Sequence, residues 1–255
     1  MKEKDDELRI ASTGTAEELE GLVHTPDPRL LAACVLNRNF TEKLAVIIAH
    51  RKDISADILD TLAHDRRWKE HYPLKLALCL NPKTAIETSL ALLNELRIFD
   101  RAALSKNHFV PVALKKRAEA SLIEKIPTLP LGIKKNLARL VADTPLLLLL
   151  REKDREVLHH CLNNPAMTEG HLSRALNAAH VTLELAQALL AHPKWSHRHT
   201  LRYALVRNSK TPLAGMTKLL ADFKTSDLKA LHRDPKVPGS MKSFIHSELF
   251  SRKAL

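Results

Sequence analysis

The chain has 255 residues, 45% of them apolar, with only 4% aromatics and six glycines, enough for one large domain or two ordinary ones around a continuous core. Ala, Leu, Lys, Glu and Arg dominate and β-branched runs are few, which argues for an all-α fold and against a sheet-based one. The net charge of +11 is uneven: residues 1–127 carry 20 Lys/Arg against 19 Asp/Glu and residues 128–255 carry 20 against 10, which suggests an anionic partner for the second half.

The opening MKEKDDELRI is charged and lacks the apolar core of a leader peptide, so a cytoplasmic, soluble chain with about six frayed residues is expected. The longest apolar run, Leu146–Leu150, is far short of a membrane span, so no membrane partner is expected. Leu8, Ile10 and Leu19 flank Thr13 and Thr15, and VLNRNFTEKL then joins an apolar helix end to a Thr-Glu helix start through Asn37. In LKLALCLNPKTAIETSLALL, Leu76, Cys79 and Leu80 share a helix face. Asn81 is expected to end that helix in a left-handed turn, Pro82 to stop it, and Thr84 with Glu87 to cap the next one. Asp100 is a candidate cap for a short helix, and Val110-Pro111 opens a last amphipathic helix carrying Leu114, Ala118, Leu122 and Ile123 on one face.

Residues 127–149 read as a connector with a linking helix, Ile133–Ala142, whose buried side is Leu137, Leu140 and Val141, followed by an Asp143-Thr144-Pro145 turn and cap. CLNNPAMTEGHL repeats the corner at Asn163, and LRYALVRNSKTPLAGMTKLLADF repeats it at Asn208, with Thr211 as expected cap and Pro212 at the first helical position. Asp227 and Val237-Pro238 then match Asp100 and Val110-Pro111.

These correspondences form one internal repeat. Asn81–Leu122 aligns without a gap to Asn208–Leu249, 127 positions on, with 12 identities in 42 positions. Asn markers at 37, 81, 163 and 208 imply units of about 42 residues, within the roughly 40–47 of HEAT and armadillo repeats. The corners resemble those of HEAT-like solenoids, and the Asn-Pro-x-Thr element resembles the bacterial leucine-rich repeat variant, although the iron–sulfur cysteine cluster of some such proteins is absent. What the resemblance implies is a right-handed α-solenoid of about six helical pairs, in two blocks of three at 1–126 and 127–255, binding a protein or nucleic acid on one face.

Two stretches are candidates for that contact. Leu62-Ala63-His64 with Trp68 recurs as Leu190-Ala191-His192 with Trp195, either as helix ends plugged by tryptophan or as aromatic platforms for a ligand. Between Glu184 and Asp222 no acidic residue intervenes among Lys194, Arg198, Arg202, Arg207, Lys210 and Lys218. Arg198 and Arg202, four apart on one helix, are expected to point at one ligand, as on a surface tracking a phosphate backbone, with a solvated basic face as the alternative. The cysteines at 34, 79 and 161 read as buried thiols, and His192, His197 and His199 match no common zinc spacing. With no phosphate loop, paired carboxylates or nucleophile elbow, no catalytic residue and no cofactor are expected. A protein-binding scaffold comes first, nucleic-acid binding second, and a likeness in size and charge to HEAT-like DNA glycosylases third.

Overall fold

The computed structural model describes residues 2–178 and 180–253, apart from the side chains of Lys2, Glu3, Lys4 and Thr217. It is built of α-helices and short 3-10 turns, with no strand among the described residues. The chain divides into two compact units, Met1–Leu122 and Ile123–Leu255.

The first unit holds α1 (Lys2–Thr13), α2 (Ala16–Leu22), α3 (Pro28–Leu36), α4 (Glu42–His50), α5 (Ala56–His64), a 3-10 turn at Arg66–Trp68, α6 (Tyr72–Leu80), α7 (Ile86–Leu93), α8 (Ile98–Lys106) and α9, which starts at Val112 and runs to Lys125. Alternate helices pack side by side, α1 on α3, α3 on α5 and α4 on α6. The second unit holds α10 (Leu131–Leu140), α11 (Asp143–Leu149), α12 (Arg155–Leu162), α13 (Glu169–Asn177), α14 (Leu183–Ala191), α15 (His199–Arg207), a 3-10 turn at Leu213–Gly215, α16 (Met216–Ala221), α17 (Thr225–Arg233) and α18 (Gly239–Ser251). Here α10 packs on α12, α12 on α14, α11 on α13, α13 on α15 and α16 on α18.

Shifting the first unit by 127 places α2, α4, α5, α6 and α8 on α11, α13, α14, α15 and α17 residue for residue. The duplication therefore extends over nine helices per unit among the described residues, where six pairs in all are expected from the sequence. The helix expected as a linker is α10, the counterpart of α1, and it packs on α11 and α12. Its Leu137 and the following Val141 are buried, but Leu140 faces solvent. Helix α1 begins at Lys2, within the stretch expected to fray.

The asparagine corners work differently from the expectation. Asn81 has φ −83° and ψ 120°, an extended rather than left-handed backbone. Its buried amide donates to the carbonyls of Ala49 (2.7 Å) and Arg51 (2.8 Å) while its Oδ1 accepts the Lys83 amide (3.0 Å). Asn37 holds Ala11 and Gly14 in the same way, and Asn208 holds Leu176. In the remaining corner the bracket is Asn164, not Asn163: it donates to Ala138 (2.7 Å) and Val141 (2.8 Å). With Asn164 in place, Asn37 and Asn81 both find their counterparts 127 residues on. Helix ends leave carbonyls without intrahelical donors, and a side chain with two N–H groups and one acceptor serves two of them and its own turn at once.

Thr84 and Thr211 are likewise not helix caps. Their hydroxyls donate back to Leu78 (2.7 Å) and Leu205 (2.6 Å), and α7 starts after Ala85 without a side-chain cap. Pro212 precedes a 3-10 turn instead of opening an α-helix. Asp100 and Asp227 lie inside α8 and α17 and bridge backwards, Asp100 to the Tyr72 hydroxyl and Asp227 to His199 Nε2 at 3.2 Å. Asp143 is the first residue of α11 and does not cap it.

Apolar faces hold these units together. Ile48, Leu59, Leu62, Leu114 and Leu122 are sealed in the first, Leu137, Leu158, Leu205 and Ile245 in the second. Burying one such side chain contributes roughly 1.5–3 kcal/mol, against about 1 kcal/mol for one hydrogen bond, so packing supplies the stability and the brackets set the register. Cys34 and Cys161, equivalent at the 127 shift, are buried with Cys79, and burial pushes the thiols up to about 11, 12 and 12 for Cys34, Cys79 and Cys161. They are space-filling thiols, not thiolates.

Candidate functional site

Both tryptophans are interior pegs. Trp195 is 3% exposed, and its indole N–H donates to the Leu162 carbonyl at 2.8 Å across to α12. Trp68 is 7% exposed, set edge-on to Phe40, and its Nε1 has no acceptor. The cause is Arg67: its guanidinium donates to Val35 (2.6 Å) and Asn37 (2.7 Å), and Val35 is the counterpart of Leu162. In the second unit Lys194 stands where Arg67 does. A single ammonium lies over the Trp195 ring at 4.1 Å, and the carbonyl is left for the indole.

The two histidines grouped by sequence are not equivalent. His64 is the last residue of α5, exposed, with Nδ1 2.9 Å from the Asp60 carbonyl. The 127 shift places it on Ala191 and pairs His192 with Asp65. Asp65 accepts the Arg67 amide at 2.9 Å, and His192 Nδ1 accepts the Lys194 amide at 3.2 Å, so one turn is tied in both units by different acceptors. Burial, with the charges of His159 and Lys194, pushes the His192 pKa below 6.5 and favours the neutral ring that this bond needs. Burial pulls the Asp65 carboxyl upward, but the hydrogen bonds and charge of Arg67 outweigh it and hold the pKa below the usual value.

The basic stretch is broken up by tertiary contacts. Arg198 and Lys210 are exposed, but Arg198 precedes α15 in extended backbone instead of sharing that helix with Arg202. Arg202 is 9% exposed and turned inward: it donates to the Leu219 carbonyl and to Asp222, both at 2.7 Å, with its guanidinium 5.2 Å from the Phe223 ring. It does not share a ligand-facing surface with Arg198. Arg207 pairs with Asp234 and lies over Tyr203 at 4.9 Å. The acid-free window from Glu184 to Asp222 is thus met by Asp222, Asp227 and Asp234 from outside it.

A groove of about 540 Å³ that sequence reasoning missed lies between α12 and α14. Arg155, His159 and Asn163 follow one another at four-residue spacing on one side, with Glu184, Gln187, Ala188, Ala191 and His192 opposite. Two alanines leave it open; Thr61 and His64 occupy their places in the first unit. Asn163 turns its amide onto the His159 carbonyl at 2.9 Å, and His160 faces Arg139 with Nε2 at 2.9 Å. The signal was present as the i, i+4 series Arg155, His159, Asn163, but sequence alone did not place α14 against it.

Among the described residues no group of three His, Cys, Asp or Glu side chains is placed to hold a metal ion, and no helix is long and apolar enough to cross a membrane. Compared with known proteins, the chain matches no family model, no curated protein and no solved structure.

Proposed function

We propose that this chain is a non-catalytic α-solenoid of HEAT-like character that binds a protein partner through the surface of its second unit. The observation that carries the reading is the divergence between two copies of one frame. Helices, asparagine brackets and buried cysteine recur at a spacing of 127, whereas the solvent-facing residues of α3 and α5 are replaced wholesale in α12 and α14, where a groove opens. Repeat architectures keep their core residues for stability and vary one face for recognition. A fold alone assigns no function, so the weight rests on that face.

Nucleic-acid binding through Arg198, Arg202, Arg207 and Lys210 has less support, since Arg202 and Arg207 are committed to Asp222 and Asp234. The test is affinity capture from the native host on the immobilised chain, followed by calorimetric titration of the purified candidate. A discrete protein that binds saturably, and less tightly when Ala191→Trp fills the groove, is the expected result. Capture of nothing specific, or of nucleic acid that salt strips away, would replace the reading.

A further inference from the structure

We infer that the α12/α14 groove takes an extended acidic peptide segment, with its carboxylates at Arg155 and at the end formed by His159 and His192, beside which Lys194 follows in the chain. The inference rests on the reading of the chain as a protein-binding module and names the chemistry of its partner.

The two units supply the comparison. Where the groove is lined by Glu184, Gln187 and His192, the first unit has Asp57, Asp60 and Asp65, and where it is lined by Arg155 and His159 the first unit has Pro28 and Ala32. Arg66 takes the place of Pro193 and offsets one of those acids. The second-unit surface therefore carries two fewer carboxylates and one more imidazole than the first, with its guanidinium moved from the Arg66 position to Arg155. Arg155 has no acidic partner among the described residues and stands exposed at the start of α12, whose first free amides are taken by the capping Asp154 carboxylate, so the anion attraction at this end rests on the guanidinium itself. At the other end, His192 spends Nδ1 on the Lys194 amide, so its ring proton sits on Nε2 and offers a donor to a carbonyl or carboxylate. Lys194 holds its ammonium over the buried Trp195, next to that end.

Glu184 is the single acid lining the groove, at the Arg155 end. It repels a carboxylate there, which makes the His159–His192 end, with Lys194 beside it, the stronger anchor and gives the bound segment a direction. The amide of Gln187 between the ends suits the backbone of an extended chain, which presents N–H and C=O groups along its length. A small free anion would use one end only and leave the rest of the 540 Å³ unfilled.

The experiment is fluorescence anisotropy with a fluorescein-labelled Glu-Ser repeat peptide, a Gln-Ser peptide of the same length as control, and inorganic phosphate and free glutamate as competitors. Saturable binding of the Glu-Ser peptide is expected, at least about tenfold tighter than the Gln-Ser peptide, a difference on the scale of one lost charged contact. The double variant Arg155→Glu/Lys194→Glu should weaken it by about tenfold or more. Arg198→Glu/Lys210→Glu carries the same charge change elsewhere on the unit and should leave affinity within about twofold. Circular dichroism reports on folding of each variant. Ala191→Trp, at an exposed position where the first unit carries His64, is the second route to closing the groove should the charge variant fail to fold. Equal weakening by the two charge variants, equal binding of the two peptides, or full competition by phosphate or glutamate would overturn the inference. A captured partner that binds independently of Arg155, Lys194 and Ala191 would overturn it while leaving the binding-module reading in place.

Discussion

Trp68 and Trp195 occupy one position in two copies, yet only the second indole N–H has an acceptor. Replacing Trp195 by Phe removes the bond to Leu162 as well as ring volume, whereas Trp68→Phe removes an unpaired buried donor with the same volume. The first substitution is expected to destabilise its unit by about 1 kcal/mol more than the second, read from urea midpoints. His192 gives a pH dependence. Its folded pKa lies below 6.5, so at acidic pH the unfolded chain binds more protons and stability falls as pH drops through 6.5. His160, lowered by burial and by Arg139, adds to the slope with the same sign. His192→Asn keeps an acceptor for the Lys194 amide without a titrating group. Denaturation midpoints between about pH 7 and 5 should therefore vary less in the variant than in the parent.

At the level of helices, the units solve one packing problem with opposite size choices. A Cβ added at Gly215 would lie 3.0 Å from Leu190 Cδ1, so α14 and the turn before α16 meet through a large residue and none. The equivalents are Ala63 and Thr88, small on the helix and larger on its partner, with the Thr88 hydroxyl bonded to Asp60 at 3.0 Å. Gly215→Thr alone should cost about 1–3 kcal/mol by overpacking. Adding Leu190→Ala should recover part of that cost, a coupling that a double-mutant cycle in urea measures. Strict additivity would show that the two sites do not share this space. Arginine plays a comparable part at helix ends: Arg51 reaches Val23 and Thr25, and Arg252 reaches Ala221 and Phe223, each from about thirty residues away in sequence.

At the scale of the whole chain, the following brackets among the described residues each close within one unit. Asn37, Arg51, Arg67, Asn81 and Arg101 find their acceptors between Ala11 and Ser121. Asn164, Trp195, Asn208 and Arg252 find theirs between Ala138 and Phe223. A fragment of residues 1–125, which keeps α9 whole, is therefore expected to give a helical circular dichroism spectrum and a cooperative urea transition. A spectrum without helical minima would show that its core is incomplete.

The sequence by itself determined the helical class, the spacing of 127 and the buried thiols, because apolar periodicity and self-similarity are properties of the chain read along its length. It also marked the asparagine corners, though for a turn they do not make and in one case a residue early. Only the tertiary structure decided what those residues do. An asparagine amide acting on a carbonyl 23 to 32 residues away, arginines neutralised by aspartates outside their window and a groove opened by two alanines depend on which helices lie side by side. Linear spacing carries no term for that neighbourhood, so Arg198 and Arg202 look alike in the sequence and differ in the fold.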